Sequence, residues 1–184
     1  MSEAIRPCTD LDFGEILEVI NDAAQAYKGV IPDDRFKEPY MPPEELRRAV
    51  DDGVRFWRFE RDRRVLGVMG LQEVADVTLI RHAYVRTAQR RAGIGGRLLE
   101  HLRSRSARPL LVGTWAAAGW AIDFYRRHGF EVVAPDEAAA LLRRYWSVPE
   151  RQTEASVVLA EKPSMRGHPG RPSEALPRVP RVLA

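Results

Sequence analysis

Between Val85 and Leu99 the sequence reads V-R-T-A-Q-R-R-A-G-I-G-G-R-L-L, and here residue type and spacing point most directly to chemistry. Arg90 and Arg91 precede glycines at 93, 95 and 96, and the spacing of Ile94, Leu98, Leu99 and Leu102 predicts a helix opening at the glycines. Glycines let a ligand come close to the backbone, and a helix start offers unpaired N–H groups at the positive end of its dipole. With two arginines adding forked donors, the segment suits an anion such as a pyrophosphate. Two better-known phosphate loops do not fit. A dinucleotide fingerprint needs a third glycine where Leu98 stands, and a P-loop needs Gly-Lys followed by Ser or Thr, which is absent. On spacing alone, a strand–glycine–helix turn serves as a structural turn as readily as a phosphate site.

Other chemistry-bearing residues are fewer. His82 titrates in the range of a proton acceptor, with Glu73 and Asp76 as further candidates. Strict strand alternation puts His82 and Tyr84 on one face and Arg81, Ala83 and Val85 on the other, unless a bulge re-aims the histidine. A structural histidine and a catalytic one both remain open. His82, His101, His128 and His168 show no ligand spacing with each other or with Cys8, so no metal site is expected. Cys8, the only cysteine, reads as a small buried hydrophobe.

The elements that must position these residues alternate between strand and helix periods. Strands are expected over 4–8, 54–60, 65–73, 76–86, 110–114, 130–133 and 152–160, with a tight hairpin turn at Asp62-Arg63. Helices are expected after Asp10, over 43–50, from the glycine turn, over 118–128 ending at Gly129, and over 136–146. A meander of strands precedes the glycine turn, so the class is mixed α/β (α+β), neither a barrel nor an all-parallel nucleotide fold.

The 184 residues suit one domain over 1–162, with 45% apolar and 30% charged residues, the balance of a soluble globular protein. Five prolines within 163–184 and little apolar surface predict a disordered tail, rich in proline and arginine. The net charge of +3 resides in residues 161–184, which makes overall basicity weak evidence for a nucleic-acid partner. No apolar run is long enough to span a membrane, the N-terminus does not read as a signal peptide, and a lone cysteine suits a cytoplasmic protein.

Arg90-x-x-Gly93-x-Gly95, five residues after Val85, resembles the acetyl-CoA pyrophosphate loop of the GNAT-type N-acetyltransferases. Ala121-Ile-Asp-Phe-Tyr-Arg-Arg-His-Gly-Phe130 resembles that family's second signature, and the order of elements from Ile5 to about Ala160 follows the family. The resemblance implies a mostly antiparallel central sheet flanked by helices, splayed between strands 77–86 and 110–115, with the pantetheine arm of acetyl-CoA in the gap. Backbone groups around Ala83 and Val85 would bind that arm. Arg90 and the N–H groups of Arg91, Ala92, Gly93, Ile94, Gly95 and Gly96 would hold the pyrophosphate.

The implied activity is direct acetyl transfer from acetyl-CoA to a primary amine, a small molecule being favoured. Tyr125 occupies the position from which the family's tyrosine protonates the leaving thiolate; a core aromatic between Phe124 and Phe130 is the alternative. His82 is the weaker catalytic candidate. The loop after the first helix would line the acceptor side, where Tyr27, Asp33, Asp34, Glu38 and Tyr40 suit an ammonium group or form a solvated loop. Ala118 stands where the family often has asparagine, which leaves open an acetyl-CoA-binding sensor without catalysis. A homodimer, common in the family, is demanded by no residue. Eight arginines and one acid between Arg81 and Arg108 leave nucleic-acid binding as a third reading.

Overall fold

The computed structural model describes residues 2–146 and 150–163, so the tail expected from residue 163 lies, save Pro163, outside the described residues. The chain divides into two compact units, Met1–Arg108 and Pro109–Ala184. In the first, β1 (Glu3–Pro7), β2 (Arg55–Arg61), β3 (Arg64–Val74) and β4 (Val77–Val85) pair in sequence order, every pair antiparallel. Asp62 and Arg63, at φ 50° and 65°, make the β2–β3 turn, the paired left-handed geometry that matches the twist of a two-residue hairpin.

Two helices cover opposite faces of these strands. α1 (Phe13–Ala24) buries Ile16, Val19, Ile20, Ala23 and Ala24, residues three and four apart that form one stripe. With Leu46 of α2 (Pro43–Asp51), Ile16, Val19 and Ile20 join a core that includes Val54, Phe56 and Val68. α3 (Ile94–Arg103) lies against the other face, reached by the neighbouring residue Gly67. A Cβ there would stand 2.9 Å from the Cγ2 of Ile94 and 3.3 Å from the Cδ1 of Leu98. Adjacent strand residues point oppositely, so Gly67 and Val68 assign α3 and α1 to different faces.

In the second unit, β5 (Leu110–Trp115) and β6 (Phe130–Val132) each pair antiparallel with β7 (Ser156–Glu161). α4 (Gly119–Arg127) ends where Gly129, at φ 84°, provides the left-handed residue that helix ends favour. α5 (Pro135–Tyr145) starts on proline, carries Asp136 and Glu137 in its first turn and Arg143 and Arg144 in its last, each complementing the helix dipole.

The mixed α/β class with antiparallel strands and flanking helices is that implied by the sequence. One boundary differs by more than a turn's end: the strand expected from 152 begins at Ser156, preceded by a short helix, α6 (Glu150–Glu154). The Ser156 hydroxyl donates to the Gln152 carbonyl at 2.7 Å, a local bond that competes with extension of the strand. Among the described residues no helix is long and apolar enough to cross a membrane.

Candidate functional site

β4 departs from regular alternation at its centre. Val68 pairs with Tyr84 and Gly70 with Arg81, so His82 and Ala83 together oppose Met69. This is a β-bulge, and His82 occupies its left-handed position at φ 49°. The bulge overturns the parity expected from strict alternation. Arg81 shares a face with Tyr84, because Gly70 and Val68 are two apart on β3. Burial changes at the same place: Val77–Ile80 are buried, whereas Arg81–Val85 are partly exposed.

The His82 ring stacks on Phe56, with centroids 5.8 Å apart and planes at 23°, and its Nε2 is buried with no hydrogen-bond partner among the described residues. Burial, with the nearby Arg81 charge adding to it, pushes the imidazole pKa down to about 3, so the ring is neutral at physiological pH. The linkage sign follows. Between about pH 3 and 6.5 the unfolded chain binds a proton at His82 that the folded chain does not, so stability falls as pH falls through that window. His82→Asn keeps a residue tolerant of positive φ and removes the titration. Relative to that variant, the wild-type protein should lose up to about 1.4 kcal/mol per pH unit below pH 6.5, measured by urea unfolding at stepped pH. Parallel stability curves would contradict the buried neutral imidazole.

Beyond Val85, which pairs with Gly67, the chain turns through Thr87–Gln89 and reaches the glycines. Arg91 adopts φ 63° and Gly93 φ 75°, and Gly93 caps α3. The first helical bond runs from the Arg97 N–H to the Gly93 carbonyl at 3.1 Å, so the amides before it have no acceptor within the helix. No acid stands in the first turn to offset the dipole. Ile94 is buried and anchors the turn against Gly67, whereas Arg90, Arg91, Ala92 and Gly93 are exposed. A cradle of backbone N–H groups facing solvent fits a pyrophosphate.

The turn is clamped from α1 by contacts that the sequence pattern does not reveal. The Thr87 N–H donates to Asp22 Oδ2 at 2.6 Å, and its hydroxyl donates to the Asp22 carbonyl at 3.2 Å. Arg90 Nη2 donates to the Ala23 carbonyl at 3.0 Å. Carbonyls left over at the C-terminal end of α1 thus hold the loop, and the Arg90 side chain is occupied there.

Most of the arginine stripe is similarly engaged within its own unit. Arg86 pairs with Glu18, Arg97 with Glu3, Arg103 with Glu100 and Arg108 with Glu73. Arg105 donates to the His101 carbonyl. Among the described residues Arg91 alone of the eight has no intramolecular partner. A surface built for nucleic-acid phosphates would keep more of its guanidinium groups free.

On the α1 side, three tyrosines converge. Tyr27 stacks on Tyr40 at 5.5 Å and meets Tyr84 edge-on at 6.4 Å. Burial pushes the Tyr84 phenol well above its ordinary value, and hydrogen bonds with the other two tyrosines act in the same direction. The acids of this loop are exposed, and two are paired: Glu38 with Lys28 at 3.0 Å and Asp34 with Arg35 at 3.8 Å. Tyr27 and Tyr40 therefore meet, whereas Asp33, Asp34 and Glu38 line the outside of the loop.

Tyr125 lies on α4 of the second unit. Its ring is 4% exposed, set edge-on to Phe124 at 5.0 Å and to Phe130 at 5.5 Å. Ala118, at the N-cap of α4, is fully buried. Cys8 fits its expected passive role: burial pushes its thiol up to about 12.

Residues 52–132, from just before β2 to the end of β6, match the family description "Acetyltransferase (GNAT) domain". Among solved structures, an acetyltransferase of the GNAT family from Staphylococcus aureus Mu50 is 16% identical with a TM-score of 0.66, the match covering 87% of this chain and 98% of that one. PaiA N-acetyltransferase from Thermoplasma acidophilum, solved in complex with coenzyme A, is 17% identical with a TM-score of 0.65, covering 88% and 99%. The ribosomal-protein-S18-alanine N-acetyltransferase from Escherichia coli is 16% identical with a TM-score of 0.62, covering 87% and 93%. At these identities the likeness is one of fold. No curated protein matches the chain. Residues 52–132 thus match an acetyltransferase (GNAT) domain, and the chain shares the fold of GNAT-family acetyltransferases.

Proposed function

We propose that this protein is an N-acetyltransferase that moves the acetyl group of acetyl-CoA directly onto a primary amine. The observation that carries the reading is the N-terminus of α3. Its amides lack intrahelical acceptors, its first turn has no acid, and it adjoins Arg91, a cation without a partner among the described residues. Acetyl-CoA brings a pyrophosphate that such a cradle can hold, and when bound it supplies the thioester. Backbone groups of Ala83 and Val85 are proposed to orient its pantetheine arm, and the amides of Arg91 through Gly96 to bind its phosphates. Arg90 contributes by fixing the loop to α1 as well as by its charge.

Transfer needs a neutral amine and a proton for the departing sulfur. Tyr125 is proposed to supply that proton. A phenol near pKa 10 can donate to a thiolate whose conjugate acid lies near 8.5. The depressed pKa of His82 makes it a weak base, so water is the better carrier of the amine proton. The acceptor side is assigned to the loop from Tyr27 to Tyr40, whose aromatic faces suit an ammonium group before deprotonation. Asp33, Asp34 and Glu38 would add a surface field, with Glu38 and Asp34 partly offset by Lys28 and Arg35.

Thiol release from acetyl-CoA against a panel of primary amines tests the function. Acceptor-dependent release supports it, and acetyl-CoA binding without release from any amine would favour a sensor. Arg91→Ala should raise the acetyl-CoA dissociation constant about tenfold, the size of one charge-assisted phosphate contact, with the melting temperature unchanged. Calorimetry of wild type and variant side by side gives the comparison; equal affinities would remove Arg91 from the phosphate site.

A further inference from the structure

Seven guanidinium groups of the stripe from Arg81 to Arg108 are explained by carboxylates, by carbonyls or by the proposed phosphate cradle. Arg81 is the exception. Its Nη1 donates to Gln72 Oε1 at 2.5 Å, and Gln72 Nε2 in turn donates to the Asp52 carbonyl at 2.9 Å, which fixes the amide orientation. Among the described residues no carboxylate lies within 4 Å of Arg81. Asp52 acts on it only as a more distant charge, and burial lowers its pKa. A half-buried cation held by one neutral acceptor is costly unless something else approaches it.

A second unmet group stands beside it. Phe56, Gly70 and Arg81 form one cross-strand row, and the bulge brings the next residue, His82, onto Phe56 in the same row. Gly70 leaves room for the row, since a Cβ there would be 2.7 Å from Val54 Cγ1, 3.1 Å from the Arg81 carbonyl and 3.4 Å from Phe56 Cε1. The His82 Nε2 has no partner among the described residues, and the residue is held at φ 49°, a strained conformation that persists only where the surroundings enforce it. Arg81 is also where β4 passes from buried to partly exposed. A guanidinium held by one neutral acceptor, next in sequence to an unsatisfied histidine nitrogen, matches a single negative charge carried on two oxygens. The fork of a guanidinium fits that planar group better than it fits a dianionic phosphate beside only one cation.

We propose that the acceptor bears a carboxylate as well as its amine, and that Arg81, assisted by His82, holds that carboxylate. The acceptor class is then an amino acid or a similar carboxylate-bearing primary amine. This inference rests on the acetyltransferase reading above. It also gives the neutral His82 a binding role, with Nε2 as donor in the corresponding tautomer.

The test offers the full chain acetyl-CoA with free L-amino acids, each paired with its amino-acid amide, and reads thiol release. Calorimetry with acetyl-CoA and thermal melts run in parallel. For acetylated pairs, the free acid should exceed the amide in kcat/KM by about tenfold or more, the value of a charge-assisted bond. Arg81→Met should abolish that preference by raising KM for the acid, leaving the amide KM and acetyl-CoA affinity unchanged, and Arg81→Lys should restore part of it. Amides that match acids, an acid preference that survives Arg81→Met, or acetyl-CoA binding with no acid acetylated would each overturn the carboxylate site. Lost acetyl-CoA affinity in Arg81→Met would overturn it as well, by assigning the residue to a cofactor phosphate. Wild-type protein that does not bind acetyl-CoA would overturn the function on which the proposal rests, a separate outcome from the others.

Discussion

Tyr125→Phe should retain acetyl-CoA affinity and lose turnover by about 100-fold or more, the usual contribution of a positioned general acid. The ring lies buried between Phe124 and Phe130, and phenylalanine preserves both edge-on contacts. Packing and fold should therefore survive, and the change isolates the hydroxyl. Without it the thiolate must leave unprotonated or take a proton from water, and the loss should fall on kcat while the dissociation constant of acetyl-CoA stays within about twofold. Steady-state thiol release with calorimetry separates the two quantities. Turnover within twofold of wild type would reduce Tyr125 to a core aromatic.

Gly70→Ala should produce the largest loss of stability. The added methyl would stand 2.7 Å from Val54 Cγ1 and 3.1 Å from the Arg81 carbonyl, and neither the short valine branch nor a strand carbonyl can swing aside. Overpacking of this kind costs about 1–3 kcal/mol, or about 3–10 °C in melting temperature at this chain length. The substitution also presses on the bulge, so the Phe56–His82 stack should loosen. Gly14→Ala is the control. Gly14 lies in α1 with nothing within 4 Å of its added methyl, and removing a flexible residue from a helix is neutral to slightly stabilising. Equal melting temperatures for the two variants would contradict the tight row at Gly70.

Much of this fold was legible because its signals are local. The stripe of Ile16, Ile20, Ala23 and Ala24 marked α1, Asp62-Arg63 marked the hairpin, and Gly93 and Gly129 marked a helix start and end. The glycine turn could likewise be read as a helix start, since glycine in the left-handed region and the apolar spacing that follows are both local. The bulge in β4 could not be read. It depends on how two β4 residues oppose Met69, and nothing in Arg81-His82-Ala83 signals the slip. Side-chain destinations were hidden for the same reason. Arg90 and Arg91 look equivalent in sequence, yet Arg90 binds the end of α1 and Arg91 has no partner among the described residues. Gly67 and Gly70 gave no motif, because their role is to leave room for Ile94 and for the row at Arg81, both distant in sequence.

Backbone amide NMR of the full chain during titration with acetyl-CoA tests the central claim most directly. Saturable shifts should appear at the amides of Arg91 through Gly96, with one site and a micromolar dissociation constant, and should shrink at matched ligand concentration in Arg91→Ala. Amides of that segment left unmoved at millimolar acetyl-CoA would contradict the account, and the glycine turn would then be a turn alone.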